Sequence, residues 1–166
     1  ANLYSANLSY ANLSSAHLRF ANLYSANLSY ANLSSAHLSS AKGIVKQMTT
    51  PLHFLTDQIG PIRMYKLVNK DMEGPFNGGI KYETGRSYSV ENANTDETIG
   101  CAEGINLATL DWCMKEWKEG YRILVAEFTR EDIAAIPIGS DGKFRVKYCE
   151  IVGEKDLKEV GLIKED

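Results

Sequence analysis

The chain has 166 residues and a net charge of −3, which is the length of one ordinary domain. Its charge is unevenly distributed, because residues 1–40 hold one charged side chain, Arg19, while residues 41–166 hold the other 17 basic and all 21 acidic ones. Neither part shows the clustered basic face of a nucleic-acid-binding protein, so no nucleic-acid partner is expected.

Membrane and secretion signals are not evident in the sequence. No run approaches the 18 consecutive apolar residues of a membrane-spanning helix, and no basic segment followed by an apolar core predicts a signal peptide. The cysteines, Cys101, Cys113 and Cys149, are odd in number and lack CxxC spacing, which predicts reduced thiols and a cytoplasmic location. The chain begins at Ala1, in phase with a repeat and without Met, which predicts processing or further coils upstream.

The first 40 residues divide into eight five-residue units: ANLYS, ANLSY, ANLSS, AHLRF, ANLYS, ANLSY, ANLSS and AHLSS. Residues 21–38 repeat residues 1–18 without a change, so a period of five is nested in one of twenty. Leucines spaced by five fit neither a helix nor a flat strand. A chain that turns a corner at every unit fits, and four units then close one square coil around a leucine-lined axis. The predicted axial residues are Leu3, Leu8, Leu13, Leu18, Leu23, Leu28, Leu33 and Leu38.

Eight consecutive units that keep Ala and Leu without exception resemble the pentapeptide-repeat family. The resemblance implies a mainly β fold, a right-handed quadrilateral β-helix with four pentapeptides per coil, and therefore two coils over residues 1–43. It also implies that each leucine, and the alanine two residues before it, points inward. Ala41 opens a ninth unit that fails at Lys42–Gly43.

The remaining side chains of each unit are expected to face outward and to stack on their counterparts twenty residues later, about 4.8 Å away. These rows either only hold the coils together, or the tyrosine rows form an interaction surface. His17 would lie beneath His37, but a pair without a third ligand predicts no metal site. The open edge of the first coil predicts a homodimer through this end. The tyrosines of the proposed surface are Tyr4, Tyr24, Tyr10 and Tyr30.

Residues 44–61 are predicted to be a capping segment with a short helix after Pro51, and residues 62–166 a small α+β domain. The predicted helices are Asn106–Glu119, closed by Gly120, a short one with a capping box at Thr129–Asp132, and a charged tail over Glu154–Asp166. Asp141-Gly142 is a hairpin-turn signal. The predicted strands are Met64–Val68, Ile80–Tyr82, Ser87–Val90, Arg122–Phe128, Ala135–Ile138 and Lys143–Val152.

The run Gly100–Trp112, followed by Asp141–Arg145, resembles an uncharacterised domain found after pentapeptide repeats in phage and bacterial proteins. The resemblance spans roughly residues 62–155. It implies a phage or prophage origin and carries no known activity.

Two residues are candidates for catalysis. Cys101 precedes a Gly-bearing turn and a predicted helix, a position that can lower the pKa of a thiol. The only histidine of residues 41–166, His53, is distant in sequence, and a small buried residue at a loop–helix junction is the alternative. Glu127 lies near the end of an otherwise apolar strand, a position used by some folds that handle nicotinamide dinucleotides. A solvated strand end and helix cap is the alternative. Gly74–Gly79 lacks phosphate-loop spacing.

The sequence therefore favours a non-enzymatic interaction or assembly scaffold whose protein partner is unknown. The alternative is an enzyme acting through the C-terminal domain, for example a nucleotide-dependent transferase with Glu127 or Cys101 at its site. No cofactor, metal or membrane is expected. An enzyme predicts a concave pocket joining Cys101 or Glu127 to other polar groups, whereas a scaffold predicts a flat surface and a buried Cys101.

Overall fold

The computed structural model describes residues 1–33, 35–76 and 78–164, and its first forty residues rise in two turns of twenty. Parallel bridges join each turn to the next at residues twenty apart, from Asn2 with Asn22 to His17 with His37. The Leu3 N–H, for example, donates to the Asn22 carbonyl oxygen at 2.8 Å. A bridge between Asn22 and Lys42 begins a third turn. The spacing of the bridges equals the longer period of the sequence.

A left-handed residue forms each corner of the two turns. The last residue of every unit has φ between 55° and 59°, and the Ala6 N–H donates to the Leu3 carbonyl oxygen at 3.1 Å to close the first corner. Asn7 Oδ1 accepts hydrogen bonds from both the N–H and the hydroxyl of Ser9, at 3.1 and 2.7 Å. The asparagine of the unit therefore caps the corner that follows it, since short polar side chains readily bond to nearby backbone.

The leucines of these turns pack together into one apolar cluster. Leu18 and all four leucines of the second turn are buried, whereas Leu3, Leu8 and Leu13 of the first turn are partly buried. Ile44 and Ile138 pack against the same cluster. The C-terminal part therefore covers one end of the leucine column, and the first turn lies at the other end.

An antiparallel sheet of seven strands forms the second part of the described chain. The strand order is β2-β7-β4-β1-β3-β6-β5, and helix α1 (Leu110–Glu116) lies beside β1. The strands are all in this sheet, so the repeats contribute bridges rather than strands, and the described residues are mainly β. The strands are β1 Ile62–Val68, β2 Ser87–Ser89, β3 Ile105–Ala108, β4 Arg122–Phe128, β5 Ile133–Ala135, β6 Lys143–Val146 and β7 Tyr148–Glu154.

The prediction of a helix over Asn106–Glu119 was wrong at both ends. Residues 105–108 form β3 between β1 and β6, because Ile105 and Leu107 alternate with a polar residue and are buried, as in a strand. The helix starts after Thr109, whose side chain accepts from the Trp112 N–H, and ends before Trp117 turns extended. Gly120 lies beyond that end.

Three further boundaries differ from prediction. The predicted strand Lys143–Val152 divides at Lys147 into β6 and β7, which lie in different parts of the sheet. The predicted strand Ala135–Ile138 is shifted to β5, and Ile80–Tyr82 contributes only an isolated bridge between Glu73 and Lys81. The predicted helical tail is a series of turns after Glu154, and its last two residues lie outside the described ones.

Several local predictions are confirmed. The strand Arg122–Phe128 is β4, and the predicted strand Met64–Val68 forms most of β1. A capping box at Thr129 begins a short 3-10 helix, Arg130–Asp132. The predicted helix after Pro51 is a 3-10 helix, Pro51–Asp57, which buries Leu52 and Leu55 in the core of the sheet.

Candidate functional site

A cavity of about 370 Å³ opens in the C-terminal part of the protein. It is lined by β1, β3, the loop around Phe76, residues 101–104 and the start of α1. One side is aromatic, and the polar groups come from several separate segments. Besides Tyr65 and Tyr82, the polar lining residues include Lys66, Cys101, Glu103, Asn106 and Lys143.

Lys66 is the most unusual group in this cavity. It lies in the middle of β1 and is 6% exposed, with its Nζ donating to the Asn106 carbonyl oxygen at 3.0 Å and lying 4.9 Å from the centre of the Tyr82 ring. No carboxylate among the described residues forms an ion pair with it. Burial lowers the pKa of the Lys66 ammonium to about 8, because a low-dielectric site disfavours the charged form.

Asn106 supplies the second polar group at this end of the cavity. Its Nδ2 lies 3.4 Å from the carbonyl oxygens of Ala102 and Gly104, which orients the amide. Its Oδ1 is buried and has no hydrogen-bond partner among the described residues. Buried polar atoms are nearly always satisfied, so this oxygen is an unusual unsatisfied acceptor on a residue that lines the cavity.

The aromatic side of the cavity is formed by Phe76 and Trp112. Their rings meet edge to face with centres 6.2 Å apart. Lys143 Nζ lies 6.0 Å from the Phe76 ring centre and 5.7 Å from that of Trp112. The cavity therefore combines flat apolar surface with two lysines, Lys66 at one wall and Lys143 near the rings, and one carboxylic acid, Glu103.

A buried arginine positions the wall that carries Cys101. Arg145 of β6 is fully buried, and its guanidinium donates to the carbonyl oxygens of Asn94, Asp96 and Ile99 at 3.0, 2.7 and 2.7 Å. These three bonds attach the irregular segment 91–104 to the sheet. Cys101 to Gly104, at the end of that segment, line the cavity.

The two residues that the sequence proposed for catalysis are not brought together. Cys101 is exposed and lines the cavity, so the buried Cys101 expected of a scaffold was wrong. Glu127 is paired with Arg63, whose Nε lies 2.9 Å from its carboxylate, and is not among the lining residues. In the register of β1 and β4, Arg63 lies opposite Glu127 and Lys66 opposite Leu124. Because neighbouring strand residues alternate faces, Glu127 and Lys66 lie on opposite faces of the sheet.

The other thiols and His53 contribute nothing to the cavity. Cys113 and Cys149 are buried, and burial raises the pKa of each thiol to about 12, so both are protonated at neutral pH. His53 lies in the 3-10 helix Pro51–Asp57 and does not line the cavity. Burial lowers the pKa of its imidazole.

Lys66 escaped the sequence prediction. The segment Met64–Val68 was predicted to be a short apolar strand, and its lysine received no role. One signal was available, because Lys66 alternates in phase with Met64 and Val68. In a strand, residues two apart lie on the same face, so a lysine between two core-facing residues points its ammonium group inward.

The outer surface of the repeats carries the predicted rows. Tyr10 stacks on Tyr30 with ring centres 5.2 Å apart, and His17 on His37 at 4.7 Å. No group of three or more potential metal ligands occurs among the described residues. The four tyrosines of the predicted surface are all more than half exposed: Tyr4, Tyr10, Tyr24 and Tyr30.

The outer edge of the first turn presents unpaired backbone groups. In the second turn, the Asn27 N–H donates to Ala6 and the Asn27 carbonyl oxygen accepts from Leu8. The equivalent N–H and carbonyl groups of the first turn face away from the second turn and form no backbone hydrogen bond among the described residues. They belong to Asn2, Asn7, Asn12 and His17.

Comparison with known families identifies the N-terminal segment. Residues 1–39 match the family described as pentapeptide repeats, in eight copies. These residues are pentapeptide repeats. The match stops at the pentapeptide repeats, so the resemblance of residues 62–155 to a phage or bacterial domain stays a prediction. No curated protein and no solved structure matches the chain. None of the described helices is long and apolar enough to cross a membrane.

Proposed function

We propose that the pentapeptide repeats form a right-handed quadrilateral β-helix and that the protein is an assembly scaffold whose partner is a second copy of this chain. The observation that supports the proposal is the outer edge of the first turn, whose N–H and carbonyl groups form no backbone hydrogen bond among the described residues. Unpaired strand edges favour pairing with another chain. Charge repulsion opposes such pairing little here, because Arg19 is the single charged side chain of residues 1–40.

A two-fold arrangement fits the chemistry of this edge. Each edge residue presents its own N–H and its own carbonyl group to the same side, and in antiparallel pairing two such residues exchange both hydrogen bonds. A two-fold axis across the end of the column brings two first turns together in this orientation. Ile44 and Ile138 cover the opposite end of the leucine column, so the expected product is a dimer rather than a filament.

Sedimentation equilibrium over a range of concentrations tests the proposal, with a pair of matched variants. Asn2→Asp with Asn7→Asp places carboxylates at the open edge and keeps the acceptor oxygens that cap the corners. Asn22→Asp with Asn27→Asp makes the same change on the second turn. Two carboxylates about 5 Å apart repel by roughly 1 kcal/mol in water.

The edge variant should therefore dissociate at concentrations at which the wild type and the second-turn variant are dimeric. A wild type that is monomeric at every concentration, or two variants that dissociate equally, would contradict the proposal. We also propose that the protein is cytoplasmic and, from the resemblance of residues 62–155, that it is of phage or bacterial origin.

A second candidate function is favoured by the cavity, and we infer that the C-terminal part binds a small molecule there. The cavity brings an exposed Cys101 together with Lys66 and Asn106, which is the arrangement that the enzyme alternative predicts; Glu127 takes no part in it. Titration of the protein with benzoate, followed by backbone amide NMR, tests the inference. Shifts confined to the lining residues support binding, and no shifts up to millimolar benzoate would count against it.

A further inference from the structure

The cavity around Lys66 has features of a site that reacts with its ligand. A buried lysine without an acidic partner is costly in a protein interior, and Lys66 is held there by one carbonyl group and one aromatic ring. A lysine whose pKa is lowered toward neutral pH by an apolar cavity supplies the free amine that reacts with a carbonyl compound. Because burial lowers its pKa, a larger share of Lys66 is the free amine at pH 7 than of an exposed lysine.

The remaining lining groups define the shape and charge of the ligand. Phe76 and Trp112 offer flat surface for a planar ring, and Lys143 lies near both rings, where it can pair with an anionic substituent. Asn106 Oδ1 is buried without a donor and lies on the residue whose carbonyl oxygen binds Lys66 Nζ.

We propose that the cavity binds a small planar aldehyde or ketone bearing an anionic group, and that Lys66 Nζ captures its carbonyl carbon as an imine. This inference rests on ligand binding in the cavity, the second candidate function above. The amine lone pair forms a C–N bond while the carbonyl π pair moves to oxygen, and transfer of one nitrogen proton to that oxygen, directly or through water, gives a carbinolamine. The nitrogen lone pair then forms the C=N bond as the hydroxyl takes a proton from solvent and leaves as water, and release of the remaining nitrogen proton to solvent gives the imine, so that no oxidant or reductant is needed.

Each lining group then has a defined part in the capture. The Asn106 carbonyl oxygen, which accepts from Lys66 Nζ at 3.0 Å, keeps the nitrogen in place, Phe76 and Trp112 hold the ring, and Lys143 pairs with the anionic substituent. Hydrolysis reverses the reaction, so the bound compound is retained and released without net chemistry.

The test uses 4-formylbenzoate, a planar aldehyde with a carboxylate, and benzoate as the ligand that lacks the carbonyl group. The full-length protein is incubated with the aldehyde at pH 7, reduced with borohydride to fix any imine as a secondary amine, and mapped by peptide mass spectrometry. The exposed lysines of the same chain are internal controls. Lys66 should be labelled at least about tenfold faster than these lysines, with a rate that levels off above about pH 8.

Three further measurements complete the experiment. Excess benzoate should slow the labelling of Lys66 but not that of exposed lysines. Lys143→Met should reduce the extent to which a given concentration of 4-formylbenzoate saturates Lys66 labelling. Lys66→Met should remove the fast-forming adduct. Labelling of Lys66 at or below the rate of exposed lysines would overturn the imine proposal, even if Lys66→Met failed to fold. Benzoate shifts confined to the cavity without a Lys66 adduct would leave binding standing and refute the capture.

Discussion

Replacing Arg145 by lysine should release the segment 91–104 from the sheet. The guanidinium is fully buried and makes three hydrogen bonds to backbone carbonyl groups. Lysine keeps the charge but presents it as a single point, so it cannot span three carbonyl groups that the planar guanidinium reaches together. At least two of the three bonds are expected to be lost.

The expected loss of stability follows from those bonds. A hydrogen bond to a charged group contributes about 1.5–3 kcal/mol, so two lost bonds correspond to at least about 3 kcal/mol. Water offsets part of this loss, because Asp96 and Ile99 lie at the surface. We therefore expect Arg145→Lys to lower the free energy of unfolding by about 2–4 kcal/mol. The corresponding change at Arg130, which is exposed and paired with Glu131, should cost less than about 0.5 kcal/mol.

Urea unfolding followed by tryptophan fluorescence measures the global effect, and hydrogen exchange of residues 91–104 measures the local one. Faster exchange of this segment with little global change would mean that it opens independently of the sheet. Equal stability and equal exchange in Arg145→Lys and the wild type would refute the positioning role of Arg145.

Three further predictions concern the repeats and Lys66. Leu23 is fully buried on the axis, so Leu23→Ala should destabilise residues 1–40 by about 2–5 kcal/mol and Leu23→Asp by more; a thermal melt unchanged in either would remove the axial assignment. Gly43 has φ +80°, and a Cβ there would lie 2.4 Å from the Tyr24 nitrogen, so Gly43→Ala should lower the melting temperature. Gly85→Ala is the control, because a Cβ at Gly85 meets nothing within 4 Å, and it should lower the melting temperature less. The folded pKa of Lys66 is below its unfolded value of 10.5, so the unfolded state binds more protons between about pH 8 and 10.5 and this group's contribution to stability rises over that range. Lys66→Met should accordingly be more stable than the wild type at pH 7, with the advantage shrinking towards pH 10; urea unfolding at several pH values checks this, and a constant difference would contradict it.

The repeats were predictable because each unit carries its own geometry. The fixed spacing of leucine and the twenty-residue repeat indicated where each side chain lies, and bridges such as Asn7 with Asn27 have that spacing. The corner hydrogen bonds of asparagine were not predicted, since the sequence suggested only stacked amides. Their cause is local, because Asn7 bonds to a residue two positions away.

The C-terminal part was less predictable because its segments depend on partners distant in sequence. Residues 105–108 have helical neighbours in sequence, yet they pair with β1 and β6, and this pairing outweighs the local pattern. The cavity arises from segments dispersed between Tyr65 and Lys143. Cys101 could be proposed from its neighbours in the sequence, whereas identifying Lys66 requires knowing which face of β1 is covered by the rest of the protein.

Backbone amide exchange of the first turn tests the central claim of assembly most directly. The N–H groups of Asn7 and Asn12 face the open edge, whereas the Asn27 N–H already donates to Ala6 at 2.9 Å. NMR exchange rates at low and high protein concentration report each group separately. The assembly proposal predicts that exchange at Asn7 and Asn12 slows as concentration rises while exchange at Asn27 stays slow throughout. Fast exchange at Asn7 and Asn12 at all concentrations, beside a protected Asn27, would contradict pairing through this edge.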